Sequence, residues 1–260
     1  MYFRHPRLSK EELDGLYRLG QPNNWEDQLS NRKDWQIAAG WIRSEGVRTR
    51  VLDIGCFDGR FLDSLGSEYE RFGIEIHDMA ADRARRRGIQ IIGTDYNDLT
   101  NTTDVFDVVV AMDVIEHVLD PKYFLTLLGR ALKPGGSLIV STGNTRALSW
   151  RLMGSRYWYC TFSEHISFIN PEWCYLAAKQ IGLAVSSIKL FSHSAPSRRR
   201  QLEELIKNIA YKLVPRFMGW LRMKGFGGKD ARKYAALANH PPPWPSAKDH
   251  FIALFTKSTK

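Results

Sequence analysis

Val51–Leu62, with the sequence VLDIGCFDGRFL, contains residues that could bind a nucleotide-type cofactor. Gly55 and Gly59 follow an apolar run directly, and glycine lets the backbone approach a ligand closely. Helical spacing resumes at Arg60, so the free N–H groups of a helix N-terminus would point at that ligand. The segment predicts a strand, a turn and a helix that form a nucleotide cradle, although two glycines alone are weak support.

Two acidic residues further along the chain could complete such a cradle. Glu75 stands twenty residues after Gly55, at the predicted end of the second strand, where a carboxylate can accept hydrogen bonds from both ribose hydroxyls. Asp95 follows the third predicted strand and could accept a hydrogen bond from an adenine amino group. The alternatives are a solvated Glu75 and a turn-forming Asp95. We favour cofactor binding for both.

These residues must be positioned by an alternation of strand and helix patterns that begins near residue 50. The alternation predicts an α/β fold with a doubly wound, mostly parallel sheet. Two helices should precede it, one capped by Ser9 and one over 24–47 that could also cover the cradle. The predicted strands are 50–54, 71–76, 89–92, 105–112, 136–142, 183–191 and 250–255, and the predicted helices between them are 59–66, 79–87, 121–132 and 171–181.

A helical insertion is predicted between the last two strands. Apolar residues recur at three- and four-residue intervals across 198–224 with Lys and Arg interspersed, and Pro215 should split the helix. This basic amphipathic stretch fits a membrane interface, or its apolar stripe packs on the domain as a substrate cap. A flexible joint is expected at 225–228 and an extended linker at 241–245. The predicted units are an N-terminal helical cap at 1–47, a central domain at 48–193 with 249–260, and the insertion at 194–248.

Charge and cysteine usage limit the protein's partners and compartment. The net charge of +9 is concentrated after residue 193, where 14 Lys and Arg stand against 4 Asp and Glu. This favours an anionic partner such as a membrane surface, nucleic acid or phosphorylated substrate, or it is only a solvated basic surface. Three cysteines without Cys-x-x-Cys spacing argue for a reducing compartment and against a disulfide framework or zinc site. We predict a cytoplasmic protein without a bound metal.

Four motifs together resemble the class I S-adenosylmethionine-dependent methyltransferases, over about residues 45–192. The motifs are Val51–Leu62, Gly73–Ile76, Phe106–Val118 and Leu132–Val140. The last two are far more specific than a glycine turn, and a nicotinamide dehydrogenase would not be expected to show the Asp113–His117 stretch. The resemblance implies a Rossmann-like methyltransferase fold with seven strands, N-terminal helices and a helical insertion before the last strand.

The resemblance also assigns cofactor-binding roles. In this family the glycine loop holds the methionine portion of S-adenosylmethionine, the strand-two acid holds the ribose and the strand-three Asp holds adenine; the product is S-adenosylhomocysteine. One departure is Phe57, which replaces the usual middle glycine. Either the loop keeps its course with the ring outward, or the ring packs over the cofactor. The predicted cofactor-binding residues are Asp53, Gly55, Cys56, Gly59, Glu75, Ile76, Asp95, Tyr96, Met112 and Asp113.

The segments Ser141–Tyr159 and Glu164–Glu172 resemble a subgroup in which this loop and a Glu-His-x-x-Phe segment face the methyl group. The resemblance makes His165 the leading candidate for a general base, because a neutral imidazole can accept a hydroxyl proton. Alternatively, His165 only braces the loop. His117 is a second catalytic candidate, unless it simply begins the helix after strand four. The predicted substrate residues are Asn144, Tyr157, Trp158 and Phe162, although the aromatic ones also suit ordinary lid packing.

The resemblance implies methyl transfer to a hydroxyl of a small molecule or of a glycan or lipid-linked acceptor. Residues 3–17 resemble a segment of methyltransferases acting on sugars and secondary metabolites, without the cysteine-rich zinc module of those enzymes. Methyltransferases of ubiquinone biosynthesis, which the chain distantly resembles, use insertions to reach lipid-embedded acceptors, so 198–224 could contact the inner face of the membrane. The alternatives are a nucleic-acid methyltransferase, suggested by the pI of about 9.5, and a non-catalytic cofactor-binding module. Nucleic acid is disfavoured because strand four lacks an Asn/Asp-Pro-Pro-Tyr/Phe motif.

Overall fold

A seven-stranded β-sheet with helices on both faces forms the centre of the structure. The structure, a computed structural model, describes residues 1–19, 32–44, 50–194, 196–226, 240, 241, 244 and 246–259. Its strands are β1 (Tyr2–Phe3), β2 (Arg50–Ile54), β3 (Glu70–Ile74), β4 (Gln90–Gly93), β5 (Phe106–Met112), β6 (Leu132–Gly143), β7 (Ser167–Phe168), β8 (Leu183–Phe191) and β9 (His250–Lys257). Its α-helices are α1 (Lys10–Leu19), α2 (Lys33–Ser44), α3 (Arg60–Leu65), α4 (Asp78–Arg86), α5 (Pro121–Ala131), α6 (Leu148–Met153), α7 (Pro171–Ile181), α8 (Arg198–Leu213) and α9 (Pro215–Leu221).

The strand order in the large sheet is β4-β3-β2-β5-β6-β9-β8. Strands β2 to β6 pair in parallel, and β9 runs antiparallel to both of its neighbours. The first residue of β9, His250, pairs with Gly143 of β6 and Phe191 of β8, the last residues of those strands. His250 therefore lies at the carboxyl edge of the parallel strands, where ligands bind in open α/β sheets. The predicted doubly wound, mostly parallel seven-stranded fold is confirmed.

Both faces of the sheet are buried, which explains why the central strand β5 is apolar from Val108 to Met112. On β5, Val109 and Ala111 face a cluster that includes residues of α5 and α7. Val108 and Val110 face the opposite cluster, which includes residues of α2, α3 and α4. Because successive side chains on a strand point to opposite faces, this assignment also places Met112 on the α2 side.

Several element bounds differ from the predicted ones. The second predicted strand ends at Ile74 and not at Ile76, because Glu75 turns away to bond the glycine loop. The fifth begins at Leu132, and residues between Leu132 and Ser137 bulge from the pairing with β5. Of the helix predicted over 24–47, Lys33–Ser44 is helical, and 24–31 and 45–47 lie outside the described residues.

A second sheet of two short strands was not predicted. In it β1 pairs antiparallel with β7, and the Arg4 backbone N–H donates to the carbonyl of Ile166. The side chain of Arg4 donates to the carbonyls of Cys160, Phe162 and His165. Two-residue strands leave no periodic signal in a sequence, so the contact depends on the tertiary fold. It fixes the N-terminus against the loop that carries His165.

Within the insertion, residues 198–226 are helical apart from Val214. The helix splits into α8 and α9 at Val214–Pro215, as expected from the missing N–H of proline. Most of the predicted joint and linker, including 227, 228, 242, 243 and 245, lies outside the described residues. Among the described helices, none combines the length and the apolar character that crossing a bilayer requires.

Candidate active site

The loop between β2 and α3 has the backbone of a glycine turn at three positions. Gly55, Phe57 and Gly59 all have positive φ, at 69°, 49° and 76°. A Cβ atom on Gly59 would approach Cγ1 of Ile89 to 2.8 Å, so only glycine fits there without displacement. The loop closes tightly, since the N–H of Gly59 donates to the carbonyl of Cys56 at 2.9 Å.

The backbone and the surroundings of Phe57 each bear on one of the two alternatives stated for this residue. The loop keeps the glycine-like course, since Phe57 adopts the left-handed conformation at a cost of roughly 1–2 kcal/mol. At the same time Phe57 lines a small cavity at the carboxyl edge of the sheet, so the residue also borders the space next to β2. The full lining of that cavity is Arg32, Trp35, Asp53, Gly55, Cys56, Phe57, Asp58 and Met112.

Glu75 holds the glycine loop and retains acceptor capacity for a ligand. Its carboxylate accepts from the N–H groups of Phe57 and His77, both at 2.8 Å, and the residue is 5% exposed. Burial raises the pKa of Glu75, against the lowering effect of the hydrogen bonds. A carboxylate offers about four lone-pair positions, so two bonds leave room for a ribose diol.

Asp53 contributes an unsatisfied carboxylate oxygen beside the glycine turn. The residue is 3% exposed, and its Oδ1 has no hydrogen-bond partner among the described residues. Burial raises its pKa well above the usual range, although the Arg32 guanidinium opposes the shift. A buried acceptor without a partner is costly and is typical of a position that a ligand completes. Asp53 and the cradle of Gly55 and Gly59 therefore fit a ligand with hydrogen-bond donors.

Asp95 is committed to local structure. Its Oδ1 accepts from the N–H and the Nδ2 of Asn97, which caps the short 3-10 turn Tyr96–Leu99, and its Oδ2 lies 3.3 Å from Nζ of Lys10. Both the turn-forming reading and a further ligand contact are compatible with this geometry, so the adenine role stays a prediction. Tyr96 packs edge-on against Phe124, with centroids 5.1 Å apart. Ile76, after the end of β3, is exposed.

Arg32 is a residue that the sequence reasoning missed. It lies directly before α2 and contacts both Asp34 and Asp113, with 2.5 Å between Nη2 and Oδ2 of Asp113. Oδ1 of Asp113 has no hydrogen-bond partner among the described residues. The charge of this guanidinium is thus compensated within the protein by two carboxylates, to which it donates charge-assisted hydrogen bonds. The sequence feature that could have identified Arg32 is the Arg-x-Asp spacing at the start of an apolar helix.

The structure brings His117 and His165 together, with ring centroids 4.7 Å apart. Nδ1 of His117 lies 3.1 Å from the carbonyl of Glu164, and Nδ1 of His165 lies 2.8 Å from the carbonyl of Tyr159. Burial lowers the pKa of both rings, and for His165 it lies well below the usual range. The contacts of His165 fit its bracing alternative, and His117 ends the short 3-10 turn Ile115–His117 that follows strand β5. The catalytic role of both residues stays a prediction.

Glu116 forms a buried network beside these histidines. Tyr159 Oη donates to Oε1 of Glu116, and Thr142 Oγ1 donates to Oε2 at 2.9 Å. Burial raises the pKa of Glu116 to about 8, and the nearby Asp113 adds to the shift. Glu116, His117 and His165 bring ligand-type atoms within 4.8 Å of one another, the spacing that a divalent cation requires. Both Glu116 oxygens already accept hydrogen bonds, so the carboxylate serves the internal network.

The predicted substrate residues divide into two groups. Tyr157 donates to Oδ2 of Asp249 at 2.5 Å, and Nε1 of Trp158 lies 3.4 Å from the same oxygen. Phe162 packs between Trp158 and His165, with centroid distances of 5.8 and 4.9 Å. These aromatic side chains form one cluster near the carboxyl edge.

Asn144 is buried beside that cluster. Its backbone N–H donates to the carbonyl of Asp249 at 2.7 Å, and the carboxylate of Asp249 accepts from Tyr157. Its Oδ1 accepts from the N–H of Arg146, and it also lines a cleft with residues of α7 and β8.

Asp249 and His250 were also missed. Nδ1 of His250 lies 2.9 Å from Oδ1 of Asp249, and both residues are buried. The ring of His193, which is exposed, lies 4.8 Å from that of His250. The signal in the sequence is an Asp-His pair at the start of the last strand, directly before its apolar residues.

Comparison with known proteins identifies related sequences and folds. A family model described as a methyltransferase domain matches residues 18–188. The ubiquinone biosynthesis O-methyltransferase of Cereibacter sphaeroides is 33% identical over 174 residues, which cover 57% of this chain and 67% of that protein. The mitochondrial ubiquinone biosynthesis O-methyltransferase of Homo sapiens is 32% identical over 134 residues, covering 47% of this chain and 35% of that protein.

Solved structures share the fold. The N-methyltransferase NodS from Bradyrhizobium japonicum in complex with S-adenosyl-L-homocysteine has a TM-score of 0.54 and 17% identity, covering 94% of this chain and 97% of NodS. A SAM-dependent methyltransferase from Thermotoga maritima has a TM-score of 0.57 and 18% identity, covering 95% of this chain and all of that one. At these identities the likeness establishes the architecture of the chain.

Proposed function

The chain belongs to the methyltransferase domain family, and from this premise we propose that it transfers a methyl group from S-adenosylmethionine to a hydroxyl of a small molecule. S-adenosylhomocysteine is the second product. The observation that carries the proposal is the similarity to O-methyltransferases, in a chain whose methyltransferase-domain match over 18–188 includes the glycine cradle. When bound, S-adenosylmethionine supplies a methyl group on an activated sulfonium.

The chain's own residues fit this cofactor. Gly55 and Gly59 allow the tight turn at positive φ beside the cavity, and Asp53 offers a buried acceptor oxygen without a partner among the described residues. Glu75 has acceptor capacity for the ribose hydroxyls, and Arg32, which is paired with Asp34 and Asp113, lines the cavity beside the glycine turn. We keep the remaining predicted contacts, Cys56, Ile76, Asp95, Tyr96, Met112 and Asp113, as part of the proposed site.

Catalysis on such a cofactor needs alignment and a proton acceptor more than further chemistry. The aromatic cluster of Tyr157, Trp158 and Phe162 supports positioning of an apolar, aromatic or sugar acceptor near the carboxyl edge. The histidines of that edge supply candidates for the proton acceptor, among them His165 and His117. A small phenolic or quinol-type acceptor suits this cluster best, because aromatic rings pack on aromatic rings. A glycan acceptor is the alternative.

The test is a transfer assay of the purified chain with methyl-labelled S-adenosylmethionine. The acceptor panel contains phenols and catechols, lipid-linked and nucleotide sugars, primary amines and RNA. Label in a phenolic or catecholic hydroxyl product supports the proposal, and label in a sugar hydroxyl points to the glycan alternative. Label in amines or RNA alone overturns hydroxyl methylation. Binding of S-adenosylhomocysteine without transfer to any acceptor would indicate the non-catalytic module.

We also propose that 198–224 contacts an anionic membrane surface. On α8 the side chains of Glu204, Asn208 and Tyr211 are buried toward the domain, and Ser246 Oγ donates to Glu204 at Oε2. Large apolar side chains face away from it, which supports the membrane reading over the substrate cap. They are Leu202, Ile206, Ile209, Leu213, Val214, Phe217, Trp220 and Met223. Basic residues interspersed with them complement acidic headgroups; they are Arg198, Arg199, Arg200, Lys207, Lys212, Arg216, Arg222 and Lys224.

Flotation with liposomes tests this contact. The chain should float with vesicles that contain phosphatidylglycerol, and less with neutral vesicles or at high salt, because exposed charges are screened. Leu213→Glu with Phe217→Glu should abolish flotation. Leu176→Glu is the matched control, since Leu176 is an equally exposed leucine on α7. Flotation that is unchanged in the double variant, or absent in the unaltered chain, overturns the proposal.

We further propose that the chain is divided into the units 1–47, 48–193 with 249–260, and 194–248.

A further inference from the structure

Asp249 and His250 form a carboxylate–imidazole pair at the carboxyl edge of the parallel strands. His250 is the first residue of the antiparallel strand β9, so it lies level with the last residues of β6 and β8. Along β9, Ile252 and Leu254 belong to the cluster on the α2 side, and the period of two places His250 on that same face. Met112, at the end of β5, also belongs to that cluster. The histidine therefore shares the edge and the face of the cofactor cradle.

The hydrogen bond to Asp249 sets the state of the ring. Oδ1 of Asp249 lies 2.9 Å from Nδ1 of His250, and a carboxylate can only accept, so Nδ1 of the neutral ring carries the proton. The lone pair is then on Nε2. This is the arrangement by which an acidic residue orients a histidine base and stabilises the imidazolium that forms after proton uptake.

Asp249 is itself held by the aromatic cluster. Its second oxygen accepts from Tyr157 Oη at 2.5 Å and lies 3.4 Å from Nε1 of Trp158. The ring of Tyr159 packs edge-on against His250, with centroids 5.5 Å apart. The carboxylate thus connects the histidine to the loop that supports the acceptor, and a movement of that loop would reorient the ring.

The other histidines of this edge lack such an arrangement. Nδ1 of His165 meets a backbone carbonyl, and burial together with the neighbouring His117 holds the pKa of His165 well below its usual range. Burial also lowers the pKa of His193, and the charge of His250 lowers it further, although the nearby Asp113 and Asp34 act in the opposite direction. For His250, burial acts in the same direction, but Asp249 outweighs it and raises the pKa; Asp113 and Asp34 add to the rise. A base gains strength in that environment.

We propose that His250 is the general base of the methyl transfer and that Asp249 is its positioning residue. The inference rests on the proposed hydroxyl methylation. As the acceptor oxygen forms its bond to the methyl carbon, the bond from that carbon to sulfur breaks and its electron pair stays on sulfur. The hydroxyl proton passes to Nε2 of His250. No further reactant is needed.

The test compares His250→Gln, Asp249→Asn, His165→Gln and His193→Gln with the unaltered chain, using a hydroxyl acceptor that the assay above has identified. His250→Gln should lower kcat by ~10²–10⁴-fold while KM for S-adenosylmethionine changes little. The loss should shrink with ring-substituted acceptors whose hydroxyl is more acidic, because these need less help in losing the proton. A purely structural role would lower kcat equally for all acceptors.

Asp249→Asn provides the second readout. The pH at which kcat rises should move to lower values, because the neutral amide no longer raises the pKa of His250, and Asp249→Glu should restore part of kcat. Calorimetric binding of S-adenosylhomocysteine and thermal melting check each variant's fold, and His5→Gln is a histidine control outside the site. If His250→Gln does not fold, the pH profile of Asp249→Asn decides.

A loss confined to His165→Gln or His193→Gln, a uniform loss for all acceptors, or an unshifted profile in Asp249→Asn overturns the assignment. If the unaltered chain methylates no hydroxyl, the proposed function itself fails, which is a different result from failure of the base assignment.

Discussion

The guanidinium of Arg32 lies 2.5 Å from the carboxylate of Asp113, which joins the start of α2 to the end of β5. The same group contacts Asp34, which is fully buried. Asp34 also accepts from Ser141 Oγ at 3.0 Å, so the pair extends to β6. This connection holds Arg32, with Trp35 of α2, in the wall of the cavity beside the glycine turn.

Arg32→Gln should lower the free energy of unfolding by roughly 2–4 kcal/mol, because it leaves the Asp34 carboxylate buried without its cation. Arg32→Lys should cost less, since the charge remains and only the fork geometry is lost. Urea denaturation at pH 7 measures both. The matched control is Arg199→Gln, which breaks an exposed pair with Glu203 and should change stability by less than about 0.5 kcal/mol. Equal effects of Arg32→Gln and Arg199→Gln would contradict the role of the pair.

The same pair predicts an acid dependence. Burial disfavours the charged form of Asp34, but the Arg32 guanidinium outweighs it, and the pKa stays below its ordinary value. A carboxyl with a depressed folded-state pKa stabilises above its unfolded pKa, and that contribution is lost as the pH falls through the folded value. The stability difference between the unaltered chain and Asp34→Asn should therefore shrink in acid. A difference that stays constant from pH 7 to pH 3 would refute this origin.

Glu116 should make the free energy of unfolding depend on pH in the direction opposite to that of Asp34. Its folded-state pKa is raised from 4.5 to about 8, so its contribution to stability is full below the unfolded pKa and is lost as the pH rises through the folded one. Between these values it lowers the free energy of unfolding by at most about 1.4 kcal/mol per pH unit. Glu116→Gln keeps the shape, cannot ionise and should flatten the profile. Denaturation curves from pH 5 to 9 check this, and parallel profiles for the two proteins would disprove it.

Glu75→Ala should weaken binding of S-adenosylmethionine on the order of 10- to 100-fold, as expected for the loss of hydrogen bonds to a charged group. Part of the loss comes from the loop, because the N–H groups of Phe57 and His77 lose their acceptor. Glu75→Gln keeps one acceptor oxygen and should retain more affinity. Isothermal titration calorimetry measures all three proteins, with exposed Glu68→Ala as control. Unchanged affinity in Glu75→Ala would remove the ribose role.

Phe57 allows backbone strain and ring packing to be separated. Phe57→Gly and Phe57→Ala both remove the ring, but only glycine adopts φ of 49° without penalty. The free energy of unfolding of the alanine variant should therefore be about 1 kcal/mol lower than that of the glycine variant. If the ring packs over the cofactor, both variants should lose the same affinity for S-adenosylhomocysteine. Thermal unfolding and calorimetry give the two quantities; equal stability of the variants would contradict strain at this residue.

The sequence predicted most of the sheet because its central strands are apolar on both faces. Phe106–Met112 and Arg50–Ile54 match their predicted bounds within a residue, since glycine turns and acidic residues end them. Pro215 marked the break between α8 and α9 for an equally local reason.

Contacts between distant residues were not predictable in this way. Arg32 meets Asp113 across 81 residues, and no local pattern records that distance. The position of His250 depends on β9 lying antiparallel between β6 and β8. The apolar sequence of β9 predicts neither its place in the strand order nor its direction. The sequence therefore indicated the cofactor class through local motifs, whereas the proposed proton acceptor became visible only through the strand order.

The position of β9 also has a consequence for biosynthesis. The ribosome synthesises β6 and β8 before residues 249–257. Until then, the edges of β6 and β8 that will face β9 are unpaired in the nascent chain. In the part of the sheet that the structure describes, β8 is hydrogen-bonded to β9 alone, so its strand pairing forms only after this late segment has been made. Asp249 and His250 arrive in that same event. Completion of the sheet and assembly of the proposed acid–base pair are thus one step, and a partly synthesised chain has neither.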